Sequence, residues 1–397
     1  MHSHAHVPLR RRRGSALRRR VAITGLALLS VGVLAGPAVT PAAAADATDT
    51  AHLRRHLQSL VERNDFPAAL ASVRGADGRT RALTAGVADR ETRAAVPVDG
   101  QVRAGSNTKT FTAVVVLQLV GEGRIDLASP IDSYLPGLVR GPGIDGRDIT
   151  VRQLLQHTSG LPDYIEGLGS DFFAIRDTYY ESRDLLDLAL ARKAHFAPGE
   201  RWEYSNTNYL LAGLLIQKIT GRPVAEEITK RVIEPLRLRH TYMPAVGEKG
   251  LRGPHPQGYH ASTPGAPLRD ITSLDPSWAG AAGQLVTTPS DLNRFFSALM
   301  AGELLEPAQL RAMRTTVAAP GTWPGARYGL GLFSTPLTCG GLVWGHGGDI
   351  PGYETRGGAT GRGEAVTVAV TALPAALPEP QRAADAVLEF VDDALCS

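Results

Sequence analysis

Ser106 and Lys109 stand three residues apart in the run AGSNTKTFTAVVVLQLV, residues 104–120. Lysine is scarce in this chain. Of 42 basic residues only five are lysine (Lys109, Lys193, Lys218, Lys230 and Lys249), and the other 37 are arginine. A buried lysine can surrender its proton, whereas an arginine cannot. A serine hydroxyl needs such a neighbour before it attacks a carbonyl. Residues 107–120 carry no proline or glycine and are apolar nearly all round, which predicts a buried helix with Ser106 at its mouth and Lys109 one turn deeper. The helix N-terminus favours negative charge developing beside Ser106. With serine at about one position in fifteen, five lysines give about 0.3 such pairs by chance. A capping serine with a snorkelling lysine therefore competes with catalysis.

Two further stretches carry candidate chemistry. GERWEYSNTNYLLAGLL places Tyr204 and Asn206 before a second apolar helix, and WGHGGDIPGY places His346, Gly347 and Gly348 in a strand near the C-terminus. Taken singly, Tyr204 reads equally as a buried phenol, Asn206 as a helix cap and His346 as an ordinary polar residue.

The chain order S-x-x-K, Y-x-N, H-x-G resembles the serine β-lactamase and D-alanyl-D-alanine carboxypeptidase family, on its class C β-lactamase-like side. LLQHTSGLPDY, AAGQLVTTPSDLNRFF and YGLGLF add to the likeness, which covers residues 50–397. The resemblance implies that Ser106 forms an acyl-enzyme with help from Lys109. Tyr204 would act with Lys109 as base and then as acid, its phenol pKa of about 10 lowered by cationic neighbours. Asn206 would bond the substrate amide and Lys109, and His346 would orient or share protons. The backbone N–H groups of Ser106 and Asp349 would form the oxyanion hole. Gly347 and Gly348 would let substrate backbone approach the strand.

The pattern departs from the carboxypeptidases at the carboxylate site. Gly347 and Asp349 stand where threonines are usual, and an aspartate there repels an anion. Phe333 stands near the position of the expected arginine, for which Arg356 is a candidate substitute. The resemblance thus implies a serine hydrolase working through an acyl-serine, foremost a D-alanyl-D-alanine carboxypeptidase-like peptidase of cell-wall peptides. Esterase, D-amino-acid amidase and β-lactamase activities are alternatives, and a penicillin-binding acyl trap is the non-enzymatic one. The substrate would be a small molecule or peptide: a peptidoglycan stem peptide, an ester or a β-lactam. A nucleophile elbow of the α/β-hydrolase kind is absent, because no G-x-S-x-G occurs.

The elements that position these residues are legible in outline. Residues 51–64 repeat apolar residues at helical spacing, AALASVRG and RALTAGVADRETRAAV read as a hairpin, and residues 106–275 are mostly helical. Strands return in RYGLGLFST, GLVWGHGGDI, ETRGGAT and EAVTVAVTAL before a closing helix. This order predicts an α+β fold: an antiparallel sheet built from both chain ends, flanked by helices, with a mostly helical lobe over 106–275, all within one domain, 46–397.

Residues 1–45 run from LRRRRGSALRRR through an apolar stretch to an alanine-rich end, the order of an export signal, so a secreted protein is expected. They carry seven arginines and no acid, so removing them takes the formal charge from +3 to −4. No basic stripe then remains for nucleic acid. Cys339 and Cys396, an even pair in an exported chain, are expected to form a disulfide. No cofactor or metal is expected: His255 and His260 lack acidic or cysteine partners, and His157 reads as a structural loop residue.

Overall fold

The computed structural model describes residues 41–169 and 171–397. The expected export segment lies outside the described residues except for its last five. Helix α1 (Pro41–Asn64) precedes strands β1 (Ala68–Arg74) and β2 (Thr80–Gly86). Helices α2 (Thr108–Gly121), α3 (Thr207–Thr220) and α4 (Pro289–Met300) come after them. Seven strands come next: β3 (Val317–Ala318), β4 (Arg327–Tyr328), β5 (Phe333–Pro336), β6 (Leu342–Gly345), β7 (Gly348–Ile350), β8 (Tyr353–Thr360) and β9 (Ala365–Val370). Helix α5 (Pro380–Cys396) closes the chain.

Among the described residues these nine strands form one sheet, ordered β2-β1-β9-β8-β6-β5-β4-β3, with β7 paired to β8. The two chain ends meet inside it, Ala69 opposite Val370 and Val73 opposite Val366, antiparallel. Strand β9, AVTVAV, is buried at every position. Its alternation explains why. Val366, Val368 and Val370 join Leu57 of α1 and Phe390 of α5 in one core, while Ala365 faces the core of the helical lobe. On that second face Thr367 bonds Asn293 of α4 at 2.8 Å. A strand covered on both faces reads as an unbroken apolar run. The Cys339–Cys396 disulfide ties the turn between β5 and β6 to the end of α5.

Helix α2 is the axis of the helical lobe. Phe111 and Ala113 to Leu117 are fully buried, as an all-round apolar surface requires. Phe111 stacks on Phe295 of α4 at 3.7 Å between ring centroids.

Two sequence expectations need correction. Helix does not continue to residue 275. It ends at Ile233, and the chain beyond it is loop with two-residue strands, Tyr259–His260 and Arg269–Asp270. The density of glycine and proline in GLRGPHPQGYHASTPGAPLRD forbids a helix there. Nor is GLVWGHGGDI one strand, since β6 ends at Gly345 and β7 begins at Gly348. Among the described residues no helix is long and apolar enough to cross a membrane.

Candidate active site

Ser106 sits in a single 3-10 turn, Gly105–Asn107, that runs directly into α2. Gly105 adopts φ +51°, and a Cβ there would lie 2.7 Å from the backbone nitrogen of Asp349. The turn is thus pressed against the edge of β7, which only glycine allows. Asn107 fixes the turn to the sheet through Thr355 Oγ1 at 2.6 Å and the Ala104 carbonyl at 3.0 Å. Ser106 opens on a cleft of about 700 Å³ that also exposes Tyr204, Asn206, Trp278, His346 and Asp349.

Lys109 is completely buried beneath Ser106. Its Nζ lies 2.9 Å from Ser106 Oγ, 2.6 Å from Asn206 Oδ1 and 2.9 Å from the Ala282 carbonyl. Burial lowers its pKa to about 7, with Asp163 and Asp349 partly opposing the shift. The amine is then neutral for much of the time near neutral pH. In that neutral form its two N–H bonds match the two carbonyl acceptors, which leaves the lone pair for the Ser106 hydroxyl; the protonated form donates to Ser106 Oγ instead.

Asn206 begins α3 without capping it. Its amide is committed elsewhere: Nδ2 donates to Asp163 Oδ2 at 2.7 Å, and its backbone N–H donates to the same oxygen at 3.1 Å. A carboxylate accepts only, so Nδ2 must face Asp163 and Oδ1 must face Lys109.

Tyr204 lines the cleft with Ser106, and its ring lies 4.8 Å from Lys109 Nζ. Cationic neighbours were expected to lower this phenol's pKa. The structure gives the opposite. The ring edge opens on the cleft, but the packing around it pushes the pKa well above 10. That shift keeps Tyr204 a neutral phenol.

Strand β7 supplies the opposite wall. Its two-residue turn, Pro351–Gly352, makes Ile350 and Tyr353 the hydrogen-bonded pair beside the loop. Asp349 is one residue along, so its N–H points away from β8 towards Gly105 and Ser106. The Asp349 backbone nitrogen thus lies beside Gly105, the residue before Ser106, on the side where an oxyanion-hole donor would act.

The structure gives His346 a different role from the one expected. Its Nδ1 donates to the Gly347 carbonyl at 2.5 Å, leaving Nε2 to accept from Tyr328 at 3.1 Å. Burial, reinforced by Lys109, lowers its pKa to about 3. Both ring nitrogens are spent away from Ser106, so His346 is a neutral wall residue and does not share the serine proton. The two glycines also make room for the protein's own packing. A Cβ on Gly348 would lie 1.8 Å from the Ala104 carbonyl, and one on Gly347 2.9 Å from Arg356 and Trp323. Gly347 lines the cleft.

Arg356, the candidate substitute for the missing carboxylate-binding arginine, is half-buried at the edge of the cleft and already engaged by carboxylates. It lies 2.6 Å from Asp349 Oδ1 and 3.1 Å from Glu354 Oε2. Burial alone would lower its pKa, but these two carboxylates hold it raised. Burial pushes the Glu354 carboxyl up. Phe333, near the expected arginine position, lines the cleft against Trp323.

His157 is structural, as expected: at φ +59° it accepts from the Ser205 N–H at 3.2 Å and its ring lies 4.3 Å from that of Tyr204. His255 bonds the Gly253 carbonyl, and His260 packs on Phe172 and Phe173, so the two share no ligand cluster. Sequence reasoning missed Asp163, Tyr328 and Trp323. Asp163 had a signal, because it lies within the quoted LLQHTSGLPDY. Tyr328 had one too, as the first residue of the quoted YGLGLF, whereas Trp323 carries none, since only the fold brings it to the cleft.

A hydroxyl, a buried neutral amine and a nearby backbone donor, held between an antiparallel sheet and a helical lobe, define a serine hydrolase. The chain belongs to the Beta-lactamase family, whose sequence pattern matches residues 53–392. Among solved structures it resembles a D-stereospecific amidohydrolase from Streptomyces sp., 39% identical over 86% of this chain and 98% of that one, TM-score 0.78. It also resembles the D-amino acid amidase of Ochrobactrum anthropi SV3, 27% identical over 87% and 99% of the two chains, TM-score 0.75. Protein flp of Staphylococcus aureus (strain MW2) is 35% identical over 136 residues, 34% of this chain and 26% of that protein. The chain thus matches only about a quarter of that curated relative's length.

Proposed function

We propose that the protein hydrolyses amides or esters of D-amino acids through an acyl-Ser106 intermediate, outside the cytoplasm. The observation that carries the choice is the Arg356–Asp349 contact. A substrate ending in a free carboxylate would meet the half-exposed Asp349 carboxylate, and the nearby guanidinium is already engaged by Asp349 and Glu354. A substrate with an amino group and an uncharged amide or ester end meets no such repulsion. The two amidases among the similar structures support the same choice, and the D configuration rests on their names alone.

In this reading neutral Lys109 takes the Ser106 proton as Oγ attacks the carbonyl carbon. The N–H groups of Ser106 and Asp349 receive the negative oxygen. Collapse breaks the C–N or C–O bond, and the proton returns from Lys109 through the Tyr204 hydroxyl to the departing amine or alkoxide. Water, deprotonated by the same amine, then attacks the acyl carbon and releases the D-amino acid, and Ser106 Oγ recovers its proton. Export rests on the order of charge and hydropathy in residues 1–45.

The test is a substrate panel. D-amino-acid amides and esters should be cleaved with kcat/KM at least about tenfold above both their L forms and D-Ala-D-Ala peptides. A preference for the D-Ala-D-Ala peptides would return the protein to the carboxypeptidases.

A further inference from the structure

Three metal-binding groups converge at a place remote in sequence from the catalytic residues. His52 and His56 are four residues apart on α1, which puts both rings on one helical face. Asp393, in the last turn of α5, meets them both. His52 Nε2 and His56 Nδ1 each lie 2.7 Å from the same oxygen, Asp393 Oδ2. The donor atoms of the three residues all fall within 4.8 Å of one another. The His56 ring is held edge-on against Phe390 at 5.4 Å, so its direction is fixed by the core beneath it.

We propose that His52, His56 and Asp393 bind a divalent transition-metal ion of the zinc type, clipping α1 to α5. Two imidazoles and a carboxylate are the borderline donor set that such ions select. Bonds of about 2.0–2.2 Å place tetrahedral ligand atoms about 3.3 Å apart, so the two nitrogens need to open from Asp393 by about half an ångström. Metal binding takes each neutral imidazole in the tautomer whose lone pair faces Asp393 Oδ2 and whose single proton is on the other ring nitrogen; a ring in the opposite tautomer loses its facing proton to solvent and takes one from solvent on the far nitrogen. Three protein ligands leave a tetrahedral ion one position for water. The side chains of His52 and Asp393 are 50% and 30% exposed, so solvent reaches the site. The three residues also edge a cavity of about 650 Å³ whose other walls include Trp323, Arg356 and Leu388, all shared with the catalytic cleft.

The experiment uses the untagged chain, stripped with chelator, and Zn²⁺ or Co²⁺ alone as probe. One ion per chain should bind by calorimetry, Co²⁺ should give visible bands of tetrahedral intensity, and Tm should rise by about 4 °C at 100-fold excess over Kd. The His52→Ala/His56→Ala double variant should lose about 100-fold in affinity and most of the Tm rise, each read against the variant's own metal-free Tm. Asp393→Asn, which keeps shape and loses charge, should bind more weakly and change the Co²⁺ spectrum. No saturable binding below about 1 mM, or undiminished binding by the double variant, overturns the proposal.

Discussion

Asp163 Oδ2 takes both the backbone and the side-chain N–H of Asn206, at 3.1 and 2.7 Å, and so turns the Asn206 carbonyl oxygen onto Lys109. Asp163 is a positioning residue: it acts on Ser106 through two intermediaries and also opposes the fall in the Lys109 pKa. Asp163→Asn removes that charge. The acid limb of kcat/KM should move to lower pH, and the maximum should fall by about tenfold as Asn206 loses its orientation. A structural role alone would lower the profile without moving it, so a pH–rate series on the folded variant separates the two.

The wild-type profile is set by Lys109 itself. Its pKa is lowered to about 7, and the proton acceptor is the unprotonated amine. Activity should therefore be full above that pH and fall about tenfold per unit below it. Lys109→Arg keeps the cation and removes the titratable lone pair, so kcat should drop by about 10³ or more at every pH, close to Ser106→Ala. Steady-state kinetics and labelling by a fluorophosphonate probe check both variants. An active arginine variant would remove Lys109 from the role of base.

Tyr204 offers a sharper division of labour. A phenol whose pKa is pushed up remains protonated across the working range. Tyr204→Phe should therefore leave the position of the acid limb unchanged and slow release of poor leaving groups. Amides should lose about 10²-fold or more, and activated esters, whose alkoxides need no proton, much less. Comparing an amide with a nitrophenyl ester of the same acyl group reads the difference.

How much of the fold and site was legible in the sequence is best judged residue by residue. The sheet made from both chain ends could be read because β9 and the β1–β2 hairpin are strong period-two or apolar runs, and the chain offers few other strands to pair them with. Ser106, Lys109, Tyr204 and Asn206 could be read because their spacing is local and each pair leads into an apolar helix. The direction of the Tyr204 shift could not, since it depends on packing by His157 and Tyr328 from distant segments. His346 was legible as a position but not as a role, because its bond to Tyr328, the first residue of YGLGLF, depends on how separate strands pack and not on spacing. The Arg356–Asp349 contact spans a hairpin whose register no spacing rule supplied.

Removing the charge of Asp349 tests the specificity argument directly. Asp349→Asn keeps the backbone N–H that faces Ser106 and frees one side of the Arg356 guanidinium. Hydrolysis of D-Ala-D-Ala peptides relative to D-amino-acid amides should rise by about tenfold, through KM more than kcat, since the charge acts on binding. An unchanged ratio would show that Asp349 does not discriminate against carboxylates.

The Cys339–Cys396 bridge closes a span of 57 residues at the very end of α5. Chain entropy for such a loop is worth up to about 4 kcal/mol, so Cys396→Ala should lower Tm by about 5 °C. The loss should show first in α5 and its contacts with β9, through Val387 and Phe390, because the bridge anchors the last turn of that helix. Ser106, Lys109 and Asn206 are held by α2, α3 and Asp163, so kcat at low temperature should remain within about twofold of wild type. Thermal melts in the presence and absence of reductant, paired with activity at room temperature, check this. Equal loss of activity and stability would mean that α5 shapes the reacting groups as well as the cleft wall.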